Sequence, residues 1–210
     1  MDSKALELQA LTTLRRGFLY LAVASLMIIV GVASTIGVFF LARGGAVRGG
    51  TEAMILFFIT AVFIGGVVAL YAVFKKIRPG MRQLASVDKS FGICYTGTNL
   101  ILVGFIMLIL GLLVGAVALM TTRAGILILL GAYTTSLVIT FIGQILSFIA
   151  GAFKLNAKYG IALFTAAGAV YILDAVVAFF IPIGLLSAVG HLLMYIALGK
   201  AMASIAQASG

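Results

Sequence analysis

Residues 161–206 decide the fold, and their sequence is IALFTAAGAVYILDAVVAFFIPIGLLSAVGHLLMYIALGKAMASIA. Two apolar segments flank a turn at 181–184, and each segment is about as long as a membrane-spanning helix. Asp174 lies in the first segment and His191 in the second. At 1.5 Å per residue each lies about 12–14 Å from the turn, so antiparallel packing predicts a direct Asp174–His191 pair. An ionisable side chain at such a depth needs a partner and indicates a candidate functional site.

The composition of the whole chain is that of a membrane protein. Of its 210 residues 64 % are hydrophobic and 9 % are charged, and the mean hydropathy is +1.30. A soluble domain has about 25 % charged residues, so this chain has too little polar surface to face water on all sides. Apolar runs of helical span length recur along the sequence, whereas alternating strands of the outer-membrane type do not.

We therefore predict an all-α fold, a polytopic membrane helix bundle in a single domain of residues 1–210. It has six transmembrane helices and one amphipathic cytoplasmic helix. A further short helix is predicted on the membrane surface within residues 1–16. The spans are predicted at about 17–41, 53–74, 98–120, 125–153, 161–181 and 185–203.

The amphipathic helix is predicted at residues 79–91. Its apolar side chains recur at helical spacing, and they are Ile77, Met81, Leu84, Val87 and Phe91. The basic side chains beside this stripe are predicted to contact lipid headgroups, and they are Lys75, Lys76, Arg78, Arg82 and Lys89. Three interpretations remain open: a helix lying in the headgroups, a connector that covers one end of the bundle, and a docking site for a soluble partner.

The distribution of basic residues predicts the orientation. With six spans, eleven of the 14 Lys and Arg residues fall on one side of the membrane and three on the other. Because basic residues accumulate on the cytoplasmic side, both termini are predicted to lie in the cytoplasm of a multi-pass cell-membrane protein. The three residues on the opposite side are Arg43, Arg48 and Arg123.

Small residues predict close contacts between helices. Gly104, Gly111 and Gly115 share one face of the third span, and Gly65 lies on a small-residue face of the second. Small residues let helix backbones approach closely in a membrane, so these glycines are predicted packing positions.

A polar network is predicted around Asp174 and His191. Its other members lie one helical turn from these two residues or on a polar stripe of the fourth span, and they are Gln144, Tyr171, Thr140, Ser187 and Tyr195. Three hypotheses remain open for it. The network is a structural contact that fixes helix packing, it forms a path for protons or cations, or Asp174 faces a wet interface and has no such role.

Enzymatic chemistry has little support, and we predict no catalytic residue, metal or cofactor. The other carboxylates, Asp2, Glu7, Glu52 and Asp88, all lie in predicted polar segments, so no pair is available within the membrane. A single histidine and a single cysteine cannot complete a zinc site or supply paired haem ligands. A phosphate-binding G-x-x-x-x-G-K loop is also missing from the sequence.

The chain resembles an archaeal family of six-helix integral membrane proteins that is known only as a domain of unknown function. The matching motifs begin at the entries to the first and third helices, with Leu11…Leu14-Arg15-x-Gly17 and Gly92-x-x-x-Thr96-Gly97. The later ones are Gly143…Phe153-x-Leu155…Tyr159 and Leu192-Leu193-x-Tyr195-Ile196-x-Leu198. The resemblance implies an archaeal origin and a multi-pass topology, and it implies no activity.

Two classes of function are compatible with this sequence. The first is a non-enzymatic structural or accessory subunit of a membrane assembly, favoured by the small-residue faces. Its partners are the lipid bilayer, anionic headgroups, and other membrane subunits or further copies of the chain. The second is a small transporter, channel or translocation-pore component that uses the Asp174/His191 network. No residue pattern indicates a specific nucleic acid.

Overall fold

The structure, a computed structural model, describes residues 3–43, 50–121, 125–177 and 184–207, with side chains described at 3–37, 56–120, 125–177 and 184–207. The described residues are almost entirely helical and include no strand. The helices are α1 Ser3–Arg43, α2 Gly50–Ala72, α3 Arg78–Val87, α4 Gly92–Thr121, α5 Gly125–Gln144, α6 Ala150–Tyr159, α7 Ala162–Val177 and α8 Leu185–Gln207. The π-helical turns Val73–Ile77 and Ile145–Ile149 join α2 to α3 and α5 to α6, and the 3₁₀ turn Lys89–Phe91 precedes α4.

The all-α fold class is confirmed. Among the described residues, five helical segments are long and apolar enough to cross a membrane, and they are Ser3–Gly37, Leu56–Val87, Lys89–Met120, Gly125–Tyr159 and Leu185–Gln207. The sixth, Ala162–Val177, is apolar but shorter over its described length. The predicted turn at 181–184 lies outside the described residues apart from Gly184, whose φ is +70°.

The separate surface helix predicted within residues 1–16 is wrong. Helix α1 begins at Ser3 and continues unbroken to Arg43. Ala10, Leu11 and Leu14 are fully buried inside the protein. The apolar side chains at the start of the chain therefore belong to the protein core, because α8 and α3 pack against this part of α1.

The amphipathic segment also lies inside the bundle. Its apolar side chains Ile77, Met81, Leu84 and Phe91 are all 0 % exposed, because α3 packs between α1 and α4. The helix ends at Val87 rather than at residue 91, since Asp88 is extended and its side chain accepts a hydrogen bond from the Ser90 backbone N–H. Of the three interpretations, the connector that covers one end of the bundle matches these contacts.

The helices form three antiparallel hairpins that close into a ring. The hairpins are α1 with α2–α3, α4 with α5–α6, and α7 with α8. Between hairpins, α3 contacts α4, α6 and the second π turn contact α7, and α8 contacts α1. The most extensive contact between hairpins is that of α1 with α8, and the other contacts between hairpins involve α3, α6 and the two π turns.

We call one end of the ring the basic end, and it holds Ser3, the Asp88 turn, the Gly160 turn and Gln207. Three charged or polar contacts join its turns. Lys158 Nζ lies 2.8 Å from Glu7 Oε1 and 4.0 Å from Asp88 Oδ2. The hydroxyl of Tyr159 donates a 2.5 Å hydrogen bond to Glu7. Most of the fully buried large side chains lie in this half, and they include Leu14, Phe18, Met81, Phe164 and Met194.

The predicted packing glycines lie where neighbouring helices meet. A Cβ on Gly104 would lie 2.3 Å from Thr140 Oγ1, one on Gly111 would lie 2.1 Å from Ala132 Cβ, and one on Gly115 would lie 2.4 Å from Leu129. All three therefore pack α4 against α5. Gly65 packs α2 against Ile28 and the Ala24 carbonyl of α1.

Candidate functional site

A cavity of about 570 Å³ lies within the ring of helices. Residues of α1, α2, α4, α5, α7 and α8 line it together with both π turns. Most of the lining is aliphatic or aromatic. The polar side chains are Ser25, Ser136, Thr140, Gln144, Tyr171, Asp174, Ser187 and His191. The structure thus brings six of the seven residues of the predicted network to one cavity, and Tyr195 is the exception.

Asp174 pairs with Ser187 rather than with His191. The backbone N–H of Ser187 donates a 3.1 Å hydrogen bond to Asp174 Oδ1, and its hydroxyl donates a second bond to Oδ2. The predicted direct Asp174–His191 pair is wrong because the hairpin register differs by one turn. Asp174 lies opposite Ser187, four residues before His191. Since Ser187 is in the first turn of α8, the carboxylate also lies at the end of that helix which attracts negative charge.

His191 lies one helical turn deeper than Ser187, among aromatic rings. Its Nδ1 is 3.4 Å from the hydroxyl of Ser25 on α1. Its ring centroid lies 5.5 Å from that of Tyr171, 5.8 Å from that of Phe148 and 6.1 Å from that of Phe18. Three hairpins therefore meet at this imidazole, and Ser25 is the polar group it faces.

Tyr171 has a buried hydroxyl without a hydrogen-bond partner among the described residues. The residue is 6 % exposed, and its ring fills the space beside Gly190, where a Cβ would lie 2.5 Å from the ring. A buried phenol hydroxyl normally finds a partner, because leaving it unpaired costs about 1–3 kcal/mol. The Tyr171 hydroxyl is therefore an unsatisfied polar group buried in the protein, on a residue whose other atoms line the cavity.

The α5 wall supplies the other polar groups. Ser136 donates a 2.6 Å hydrogen bond to the Gly104 carbonyl, so its hydroxyl is used in holding α4 to α5. Thr140 packs against Gly104 in the same contact. Gln144 lies one turn further along, immediately before the second π turn, and makes no side-chain hydrogen bond to any described residue. Its amide is the polar group of this wall that is free to contact a ligand.

The charge of the cavity differs in sign from that of the chain. The chain has 14 Lys and Arg residues against five Asp and Glu residues. Among the described lining residues there is no Lys or Arg, and Asp174 is the one acidic side chain. A low-dielectric wall strengthens the field of a single carboxylate, so the cavity favours positive charge.

Tyr195 and the predicted headgroup contacts are not among the residues that line the cavity. The Arg15 guanidinium carbon lies 4.5 Å from the Tyr195 ring centroid, and Nη2 donates a 3.2 Å hydrogen bond to the Tyr195 hydroxyl. Arg78 bonds Asn99 at 2.7 Å and is partly buried. Among the other predicted contacts Lys76 is also partly buried, whereas the exposed ones are Lys75, Arg82 and Lys89.

The sequence did not predict Ser25, Ser136, Phe18 or Phe148 as members of this site. Ser25 is an isolated polar residue within the long apolar run of α1, and this isolation is the signal that indicates an inward-facing position. Phe18 and Phe148 carry no such signal, because apolar rings are equally common on lipid-facing surfaces. Within the described part of the chain no three Asp, Glu, His or Cys residues are grouped as metal ligands would be.

The fold and the cavity define a helical membrane protein with a polar site at the centre of its bundle. The chain belongs to the family described as Protein of unknown function (DUF973), whose profile matches residues 7–209. No curated protein and no solved structure matched the chain.

Proposed function

We propose that the protein is a small membrane transporter, or the translocating component of one, whose substrate passes through the central cavity. The observation that supports this proposal best is the cavity itself, since all three hairpins contribute polar side chains to one space. A polar contact that serves only to hold α7 against α8 needs no such space beside it. The volume also lies in the range of small-molecule sites, about 300–1,000 Å³.

The two π turns supply the conformational element that transport requires. They interrupt α2 and α5, and both contribute cavity-lining residues, Phe74 from the first turn and Phe148 from the second. Such turns break the regular hydrogen-bond ladder and recur at functional sites. We place the hinge for opening and closing the cavity at these two turns.

We propose that the protein lies in an archaeal cell membrane with both termini on the cytoplasmic side. The partition of basic residues supports this orientation, since eleven of 14 belong to the side that holds the basic end. The exposed basic residues Lys75, Arg82 and Lys89 would then lie among anionic headgroups.

Cysteine labelling in native vesicles tests the transport proposal without a known substrate. Cys94, which is fully buried, is first replaced by alanine. Ala175→Cys places a thiol in the cavity wall, and Val176→Cys places the matched thiol on the outer face, where Val176 is 55 % exposed and does not line the cavity. We expect an impermeant thiosulfonate reagent to modify position 175 on the order of tenfold faster than position 176, because only a hydrated thiol ionises.

Transport further predicts that position 175 reacts in both right-side-out and inside-out vesicles. Each orientation exposes one side of the membrane to the reagent, so reaction in both shows that the cavity opens to both sides. Reaction from one side only, or equal reaction of positions 175 and 176, contradicts the proposal.

The outer face of α5 supports a second candidate, an accessory subunit of a membrane assembly or of a homo-oligomer. Gly131, Thr134 and Thr135 are exposed on one face, and a Cβ on Gly131 would meet no atom within 4 Å. A small, hydroxyl-bearing face is suited to close contact with another membrane helix.

A substitution on that face tests the second candidate. Gly131→Leu should remove any subunit that co-purifies from native membranes at fixed stoichiometry, since leucine would hold the two helices apart. Ala116→Leu, at an exposed position of α4, is the control and should leave that subunit bound. Equal recovery of the subunit with both variants contradicts this use of the face.

A further inference from the structure

We infer that the cavity binds a lipophilic organic monocation, with Asp174 opposite its charge and the aromatic wall around its apolar body. This inference rests on the proposed transport function and adds the chemical class of the substrate. Three features of the cavity lead to it, namely its charge, its aromatic rings and the unused lone pairs of Asp174.

The charge of the described wall disfavours anions. Asp174 is the one charged side chain among the described lining residues, and none of the 14 basic residues is among them. An anion would have to enter an apolar space that already holds a carboxylate, and a neutral ligand would leave that carboxylate without a counter-charge. A buried charge without a counter-charge is costly, so a cation of single charge is the best complement.

The aromatic lining favours an organic cation over a metal ion. Phenyl rings of the first π turn, α4 and α5 line the cavity at Phe74, Phe105 and Phe141, and Phe148, Tyr171 and His191 form a ring cluster in the same lining. Ring faces attract cations and offer apolar contact to hydrocarbon substituents. A small metal ion would need several oxygen ligands, and Asp174 supplies the only carboxylate of the described wall.

Asp174 keeps acceptor capacity for such a ligand. A carboxylate offers about four lone-pair positions. Ser187 occupies two of them, one through its backbone N–H and one through its hydroxyl. Asp174 lines the cavity and is partly exposed, so its remaining lone pairs are available to a ligand.

Binding of radiolabelled tetraphenylphosphonium to the purified full chain in detergent tests the inference. We expect saturable binding with one site per chain, and no saturable binding of tetraphenylborate, an anion of the same shape, when it is measured in a separate sample. Asp174→Asn should weaken binding on the order of tenfold or more, because the cation loses its counter-charge. Asp88→Asn, at a carboxylate in the α3–α4 turn, is the control and should bind as the parent does.

Two substitutions of opposite charge at Gln144 test the inference even if Asp174→Asn fails to fold. Gln144 lines the cavity without a hydrogen bond to a described residue, so both Gln144→Lys and Gln144→Glu leave the packing contacts in place. Lysine should abolish phosphonium binding and glutamate should strengthen it several-fold, since the two changes alter the cavity charge in opposite directions.

The outcomes separate this inference from the transport proposal. Two-sided labelling of position 175 with no phosphonium binding, or with tetraphenylborate bound equally well, overturns the inference and leaves transport standing. Phosphonium binding that does not respond to Asp174→Asn or to the Gln144 pair also overturns the inference, because the cation then binds elsewhere.

Discussion

Replacing Gly143 with alanine should lower the melting temperature of the detergent-solubilised protein by roughly 6–12 °C, which corresponds to a loss of about 3 kcal/mol. At Gly143 the backbones of α4 and α5 are in direct contact. A Cβ there would lie 2.7 Å from both the Gly97 carbonyl oxygen and the Ile101 nitrogen. Backbone atoms cannot rotate away as a side-chain end can, so the two helices would have to separate.

Gly131→Ala on the same helix is the matched control. It adds the same methyl group at a position where a Cβ meets nothing within 4 Å. Alanine is a better helix former than glycine by about 1 kcal/mol, so this variant should melt at the parent temperature or slightly above it. Since the gain in helix propensity is common to both variants, the difference between their melting temperatures measures the steric contact alone. Equal melting temperatures would contradict the close packing of α4 on α5.

The helical architecture was predictable because it follows from local sequence. Apolar runs of span length define the long helices, and helical spacing placed Gly104, Gly111 and Gly115 on one face. Both features need only the geometry of a single helix. The structure places these glycines against α5 of the same chain, whereas the sequence could not say which helix they face.

The predicted Asp174–His191 pair is wrong because the register of α7 against α8 differs by one helical turn from the predicted one. The predicted pair assumes that the α7–α8 hairpin is centred within residues 181–184. A change of two residues in this centre changes the residue opposite Asp174 by four positions. Asp174 consequently faces Ser187, and His191 lies level with Tyr171. Six of the seven predicted residues line one cavity, but the contacts among them depend on a register that apolar residues do not specify.

For the amphipathic segment, the periodicity of the sequence does not show what its apolar face contacts. A stripe of apolar side chains beside basic ones is the same pattern whether the stripe faces acyl chains or the rest of the protein. Ile77, Met81 and Leu84 face the protein, because α3 continues α2 through a π turn and packs on α1 and α4. Sequence alone could not reveal the π turn, since its residues have no distinctive composition.

The shape of the cavity depends on how the hairpins pack against one another, and the sequence does not specify this packing. The polar residues of the cavity could be predicted because they stand out within single apolar helices. Apart from the α1–α8 contact, the hairpins are joined at α3, α6 and the π turns, and the cavity lies between the parts beyond these contacts. Polar side chains at Thr140, Gln144 and Asp174 then reach the same space from different hairpins. The serine of α1, Ser25, joins them only because α1 contacts α8.

Phe91→Ala should destabilise the protein by about 3–5 kcal/mol, the usual cost of removing a fully buried phenyl ring. Phe91 is 0 % exposed in the turn between α3 and α4, and this turn also contacts α6. Lys158 Nζ, which bonds Glu7, lies 5.8 Å from the ring centroid. Alanine would leave a void beneath the contacts that hold the turns of the basic end together. Thermal unfolding of the purified protein measures the loss.

Ile93→Ala is the control for Phe91→Ala. Comparing the two variants shows whether the Phe91 ring packs against protein or against lipid. Ile93 is 44 % exposed on the outer surface of α4, so its truncation should cost less than about 1 kcal/mol. If the apolar stripe instead lay in the headgroup region, both truncations would remove lipid contacts and cost similar small amounts. A difference of several kcal/mol between the two variants therefore requires that the stripe contributes to the core, with the basic side chains of α3 on the opposite face.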